Sequence, residues 1–142
     1  MHDKLFTPWI ALRVSIGLTA TLAGLDKFFN LLADWSGYVS PLAAQLLPFS
    51  TDTFMAIVGV VELVVGAAIL SGWTRWGAYT ASAWLLGVAL NLIAAGFLDV
   101  AVRDVVMSIA AFTLARLAET RQQAAALGLA AAVGPARPHV AA

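Results

Sequence analysis

The side chains best suited to chemistry in this 142-residue chain are also the ones their surroundings tolerate least: Arg13, Asp26, Lys27, Glu62, Asp99, Arg103 and Asp104 all stand within its most apolar stretches. An ionised side chain among acyl tails costs roughly 2.5–3.5 kcal/mol or more, so each of these groups should face a partner or a wet cavity. Three cations against four acids is close enough to balance for mutual pairing. Glu62 is the most demanding of them. It lies ~15 Å along a helix from Asp52, near the middle of an apolar run. Either it meets a cation, with Arg13 the nearest by depth, or it carries a proton. Lys27 and Arg103 can donate hydrogen bonds to a ligand carbonyl, while Glu62 and Asp104 can exchange protons with it. Asn91 adds an amide at the same level, and Asp99 and Arg103 form an i, i+4 pair beside Asp104. The candidate network is therefore Arg13, Lys27, Glu62, Asn91, Arg103 and Asp104. Its plainer role is polar glue that fixes helix register. Trp84, away from both aromatic belts, reads as packing.

The elements that would position these groups follow from composition. Hydrophobic residues make up 61% of the chain and charged ones 11%, against about 25% charged in soluble domains. Four stretches are long enough to span a bilayer, at about 8–32, 52–71, 74–95 and 99–119. The expected fold is an all-α, antiparallel four-helix transmembrane bundle over residues 1–126, with an Ala/Gly/Pro tail at 127–142 that reads as disordered. In the first span Arg13, Gly17, Ala20, Gly24 and Lys27 fall within about 40° of one line. In the second, Gly59, Glu62 and Gly66 share a face. Small residues on a shared face are where membrane helices approach each other. Lys4, Arg75, Arg116, Arg121 and Arg137 gather on one side, with Trp9, Trp73 and Trp76, and only Lys27 and Arg103 are offered on the other, with Trp35 and Tyr38. That asymmetry places both termini in the cytoplasm of a bacterial-type inner membrane. The connection at 33–51 contains "SPLAAQLLPFS", a short apolar segment between prolines that reads as an amphipathic loop or a surface helix.

Several functions are excluded or made harder. Net charge is zero, with no basic surplus for nucleic acid. Cysteine is absent, which removes disulfides, thiol relays and cysteine-ligated metals. His2 and His139 lie outside the apolar stretches, so neither suits a buried haem. The first stretch is too long for a cleaved signal peptide and is interrupted by Arg13.

Three pieces, "RVSIGLTATLAGLDKF" (13–28), "GVVELVVGAAILSGWTR" (59–75) and "LDVAVRDVVMSIAAFTLARL" (98–117), resemble the DoxX-like family of small four-helix membrane proteins. No piece is specific alone; their order is what carries the resemblance. It implies a role near quinone-linked oxidation of sulfur compounds, as in small subunits of thiosulfate:quinone oxidoreductases, or in other membrane redox assemblies. It points to Arg13, Lys27, Glu62, Arg103 and Asp104. With no cofactor motif in the chain, any redox role implies a bound quinone or a partner redox subunit, in a hetero- or homo-oligomer. The alternatives are a non-catalytic membrane anchor or scaffold, and a proton or small-solute conduit.

Overall fold

Ser50 opens the most apolar helix of the chain by accepting the Thr53 amide on its hydroxyl at 3.2 Å, and Asp52 adds an acid to the first turn. Both features suit the positive end of a helix dipole. The computed structural model describes residues 4–132. Its helices are α1 (Phe6–Asp26), α2 (Pro41–Leu46), α3 (Thr51–Leu70), α4 (Thr74–Ala95) and α5 (Leu98–Ala132), with a 3-10 turn at Trp35–Tyr38. There is no strand among the described residues. Among the described residues three helices, α1, α3 and α4, are long and apolar enough to cross a membrane. Only 17% of the apolar window of α1 is buried inside the molecule, so its outer surface meets lipid.

Glycine spacing sets how α1 and α3 meet. A Cβ on Gly24 would stand 2.8 Å from the Gly59 carbonyl oxygen, and one on Gly59 would stand 2.8 Å from that of Gly24. Seven residues away on each helix, a Cβ on Gly66 would come within 3.0 Å of the Gly17 carbonyl oxygen. The two backbones are therefore in direct contact, running antiparallel. This is the small-residue face expected from the sequence. On the other side of the bundle, Ser108 of α5 is buried and donates to the Ser82 carbonyl of α4 at 2.8 Å, while Arg75 and Glu119 pair lower down at 3.1 Å. Helices α4 and α5 are thus antiparallel as well. Arg121 lies 4.4 Å from the Trp9 ring centre, bringing the start of α1 and the far part of α5 to the same end. The contiguous apolar core sits in that half: Ile69 and Leu114 are fully buried, packed among Ala78, Ala111 and Ala115.

The α3 and α4 boundaries fall where the pattern puts them, and α4 stops at Gly96, whose φ of 86° closes the helix. There the Phe97 amide reaches the Leu92 carbonyl and the Gly96 amide that of Ile93. Two boundaries differ. The first span ends at Asp26 rather than near 32, because the Asp26 carboxylate accepts the amides of Leu31 and Leu32 at 2.9 and 2.8 Å and turns the chain out of the helix. Asn30, at φ 51°, completes that turn. Apolar residues continue past it, which is why hydropathy extends the span. At the other end α5 continues through Ala132, so residues 127–132 are helical rather than disordered. Alanine-rich sequence favours helix even without a packing partner. Residues 133–142 of the expected tail, His2, His139 and Arg137 lie outside the described residues.

Candidate functional site

Lys27 stands just past the last turn of α1, and its side chain runs back along the helix into the bundle rather than out to the surface. Its Nζ lies 2.6 Å from Glu62 Oε2, with the lysine side chain 5% and the glutamate 16% exposed. It also lies 3.5 Å from the Ala23 carbonyl oxygen and 3.8 Å from the centre of the Trp35 ring. This backward course follows from helix geometry, since side chains lean toward the N-terminus. The ammonium is held by a carboxylate, a carbonyl and an aromatic face. In a low-dielectric bundle each of these strengthens the others.

What keeps Trp35 there is Asp26. Its carboxylate is buried and takes the Trp35 indole N–H at 2.9 Å besides the two amides of the turn. Asp26 and Lys27, adjacent in "GLDKFFN", thus act in different ways. Asp26 builds the turn that brings an aromatic ring over Lys27, and Lys27 pairs with Glu62. Asp26 is outside the network expected from sequence because its lone pairs are occupied by the turn.

Trp84 enters the site through register. Gly77 of α4 touches the backbone of Ile69 on α3. Seven residues on along α4 and seven back along α3 bring Trp84 beside Glu62. Its indole N–H faces that carboxylate but stops short of a formed hydrogen bond, leaving Nε1 buried without a partner. Asp104 of α5 is half-buried, and its charge acts on both Glu62 and Lys27. The site is therefore one ion pair, a second acid, an aromatic face and a buried indole N–H turned toward the glutamate.

The remaining candidates are placed elsewhere. Arg13 does not meet Glu62. Four residues before Gly17, it faces the end of α3, four residues after Gly66. There its Nε donates to the Ile69 carbonyl at 3.0 Å and its Nη2 to those of Leu70 and Ser71. These are the orphan carbonyls at the negative end of a helix, where a guanidinium is well matched. Asn91 holds the long connection: its Oδ1 accepts the Ser40 amide at 2.9 Å and its Nδ2 donates to the Tyr38 carbonyl at 2.8 Å. Arg103 is exposed. Depth alone does not place Arg13 or Asn91, because it says nothing about which backbone groups lack partners. A second cluster escaped the sequence reading altogether: Glu119 accepts from Tyr79 at 3.0 Å and from Arg116 at 2.6 Å while pairing with Arg75. Arg116 stands at i, i+3 on the same helix, a spacing the sequence carries, but Arg75 and Tyr79 come from α4, and no local spacing announces them. Among the described residues, no three His, Cys, Asp or Glu side chains gather as metal ligands.

A search of the curated proteins and a search of the solved structures return no match. The model of the DoxX family matches residues 9–115, a segment that contains the glycine contact between α1 and α3, the Lys27–Glu62 pair, Trp84 and Asp104. With three-quarters of its length matched in one continuous piece, this helical membrane chain belongs to the DoxX family.

Proposed function

We propose that this chain is a quinone-interacting subunit of the bacterial-type inner membrane, crossing it four times with both termini in the cytoplasm, and working with a redox partner or as an oligomer. The observation that carries the reading is the Lys27–Glu62 pair, nearly inaccessible to solvent within apolar helices, beside a buried indole N–H that faces the same carboxylate. A quinone head needs donors for its carbonyls and a source of protons, and its tail needs an apolar cleft. Lys27 and the Trp84 N–H are the donors. Glu62 and Asp104 are the acids that would exchange protons. An apolar groove of about 370 Å³ between α4 and α5, lined by Ile93, Leu98, Ala101, Val102, Val105 and Val106, suits a tail. Ala101 is one turn from Asp104 on α5, which links groove to acid. A bound quinone would supply the two-electron, two-proton acceptor that the chain itself lacks.

The test is to purify the chain in mild detergent, extract it and quantify quinone per chain. Wild type should retain quinone, and Trp84→Phe and Glu62→Gln should each lose most of it. Preparations without quinone, or with the same content in both variants, would overturn the reading. One observation favours a purely structural role instead: the pair joins α1 to α3 directly beside the Gly24–Gly59 contact. Replacing Lys27 and Glu62 together by methionine separates the two. An anchor would keep its fold and partners, whereas a quinone site would be emptied.

A further inference from the structure

The Lys27–Glu62 pair has a roof. Residues 31–40 pass over it and are fastened to three helices and to the α4–α5 link by separate contacts. Asp26, at the end of α1, accepts the Leu31 and Leu32 amides and the Trp35 indole N–H. Asp52, in the first turn of α3, accepts the Ser36 hydroxyl. Asn91 of α4 takes the Ser40 amide and donates to the Tyr38 carbonyl, and Phe97 meets the Tyr38 ring edge-on at 4.9 Å. Polar bonds satisfied at so many points make a rigid cover rather than a swinging lid. Beneath it the Trp35 ring lies on the Lys27 ammonium, on the side from which water would come.

The flank is different. Asp104 is half-buried, and one turn before it on α5 Ala101 lines the α4–α5 groove together with Val105. Leu98, Val102 and Val106 along that groove are exposed, and in a membrane they meet acyl chains. We infer that the ligand enters from the bilayer along this groove, past Asp104, while the roof stays shut. This takes the ligand's identity from the quinone reading above, but not its route. The substrate class is then lipid-soluble molecules with an apolar body, and water-soluble anions do not reach the pair.

Two labels on the full-length protein in phosphatidylcholine nanodiscs, read by peptide mass spectrometry, test this. Lys4 and Lys27 are the only lysines of the sequence, and Lys4 is exposed. A water-soluble sulfosuccinimidyl acetate should acetylate Lys4 and spare Lys27, and Trp35→Ala should add Lys27 to the acetylated sites. The lipid-soluble dicyclohexylcarbodiimide, which adds to protonated carboxyl groups in apolar surroundings, should modify Asp104. Val105→Trp, which fills the groove, should lose most of that adduct while Lys27 stays protected. In Trp35→Ala the adduct should persist, showing an intact bundle and a route separate from the roof. Acetylation of Lys27 in wild type, no adduct on Asp104, an adduct unchanged in Val105→Trp, or one lost in Trp35→Ala would each overturn the inference. Neither label needs a bound quinone, so a quinone-free chain that labels as expected would sink the earlier reading and leave the route standing.

Discussion

Lys27 and Glu62 form the kind of pair whose value shows only when one member is removed. A buried ion pair often contributes little net stability over apolar residues of similar size, but breaking it strands the survivor at a cost of about 3–5 kcal/mol. Lys27→Met should therefore lower the unfolding midpoint in detergent sharply. Lys27→Met with Glu62→Met should recover most of the loss. Thermal or denaturant unfolding of both variants beside wild type measures this, and a double variant no better than the single would mean the pair holds the fold by more than mutual charge. The sequence told which residues needed partners, Lys27 and Glu62 among them, because membrane cost depends on residue type and depth alone. It could not choose the partners. Arg13 was nearest to Glu62 by depth, yet the three carbonyls at the end of α3 hold it. Trp35 and Asp26 entered through a turn that hydropathy could not register, since "FFNLL" is apolar whether or not it is helical. For Trp84 a signal did exist: a lone tryptophan at mid-span has an N–H to satisfy, and a mid-span acid is an acceptor for it.

Among the helices, it is the antiparallel α1–α3 contact that makes the pair possible. Its heptad-spaced glycines, Gly17 and Gly24 on one helix and Gly59 and Gly66 on the other, let backbone meet backbone and so bring Lys27 within reach of Glu62. Gly24→Ala puts a methyl 2.8 Å from the Gly59 carbonyl oxygen and 2.9 Å from the Leu63 amide nitrogen, neither of which can swing aside. We expect a loss of about 1–3 kcal/mol as the helices part. At Gly87, inside α4, an added methyl would meet nothing within 4 Å, so Gly87→Ala should raise stability by roughly 0.5–1 kcal/mol through helix propensity. Opposite shifts in unfolding midpoint are the expected outcome, and a neutral Gly24→Ala would show that the contact is loose. This level of structure was largely legible. Periodicity gave the glycine faces, and the stop of α4 at Gly96 can be read directly. Less legible was α5, whose alanine-rich end reads as low complexity yet is helical through Ala132.

For the molecule as a whole the open physical question is whether α5 crosses the membrane. Its uncharged run between Asp104 and Arg116, residues 105–115, is ~16 Å long as a helix, about half of a ~30 Å hydrocarbon core. On composition alone it would not span. Packing argues otherwise. α5 lies along α4 from the Ser82–Ser108 contact to the Arg75–Glu119 pair, and Arg121 stacks on Trp9 at the start of α1. If α1, α3 and α4 cross, a helix fastened along α4 in this way returns to the side on which α1 began. Arg103, exposed near its beginning, and Arg116, exposed near that far end, can extend toward opposite headgroup layers, which makes a short apolar run sufficient. Beyond Glu119 the helix runs on for ~20 Å to Ala132, and residues 122–129 are exposed throughout. The chain has no cysteine, so single cysteines at Gly37, Gly72 and Gln123 can be labelled without background by a membrane-impermeant maleimide. In intact cells Gly37→Cys should react, whereas Gly72→Cys and Gln123→Cys should react only after the cytoplasmic face is opened. Three crossings instead of four would put position 123 on the same side as position 37, and its labelling from outside would refute the fourth crossing while leaving the other three in place.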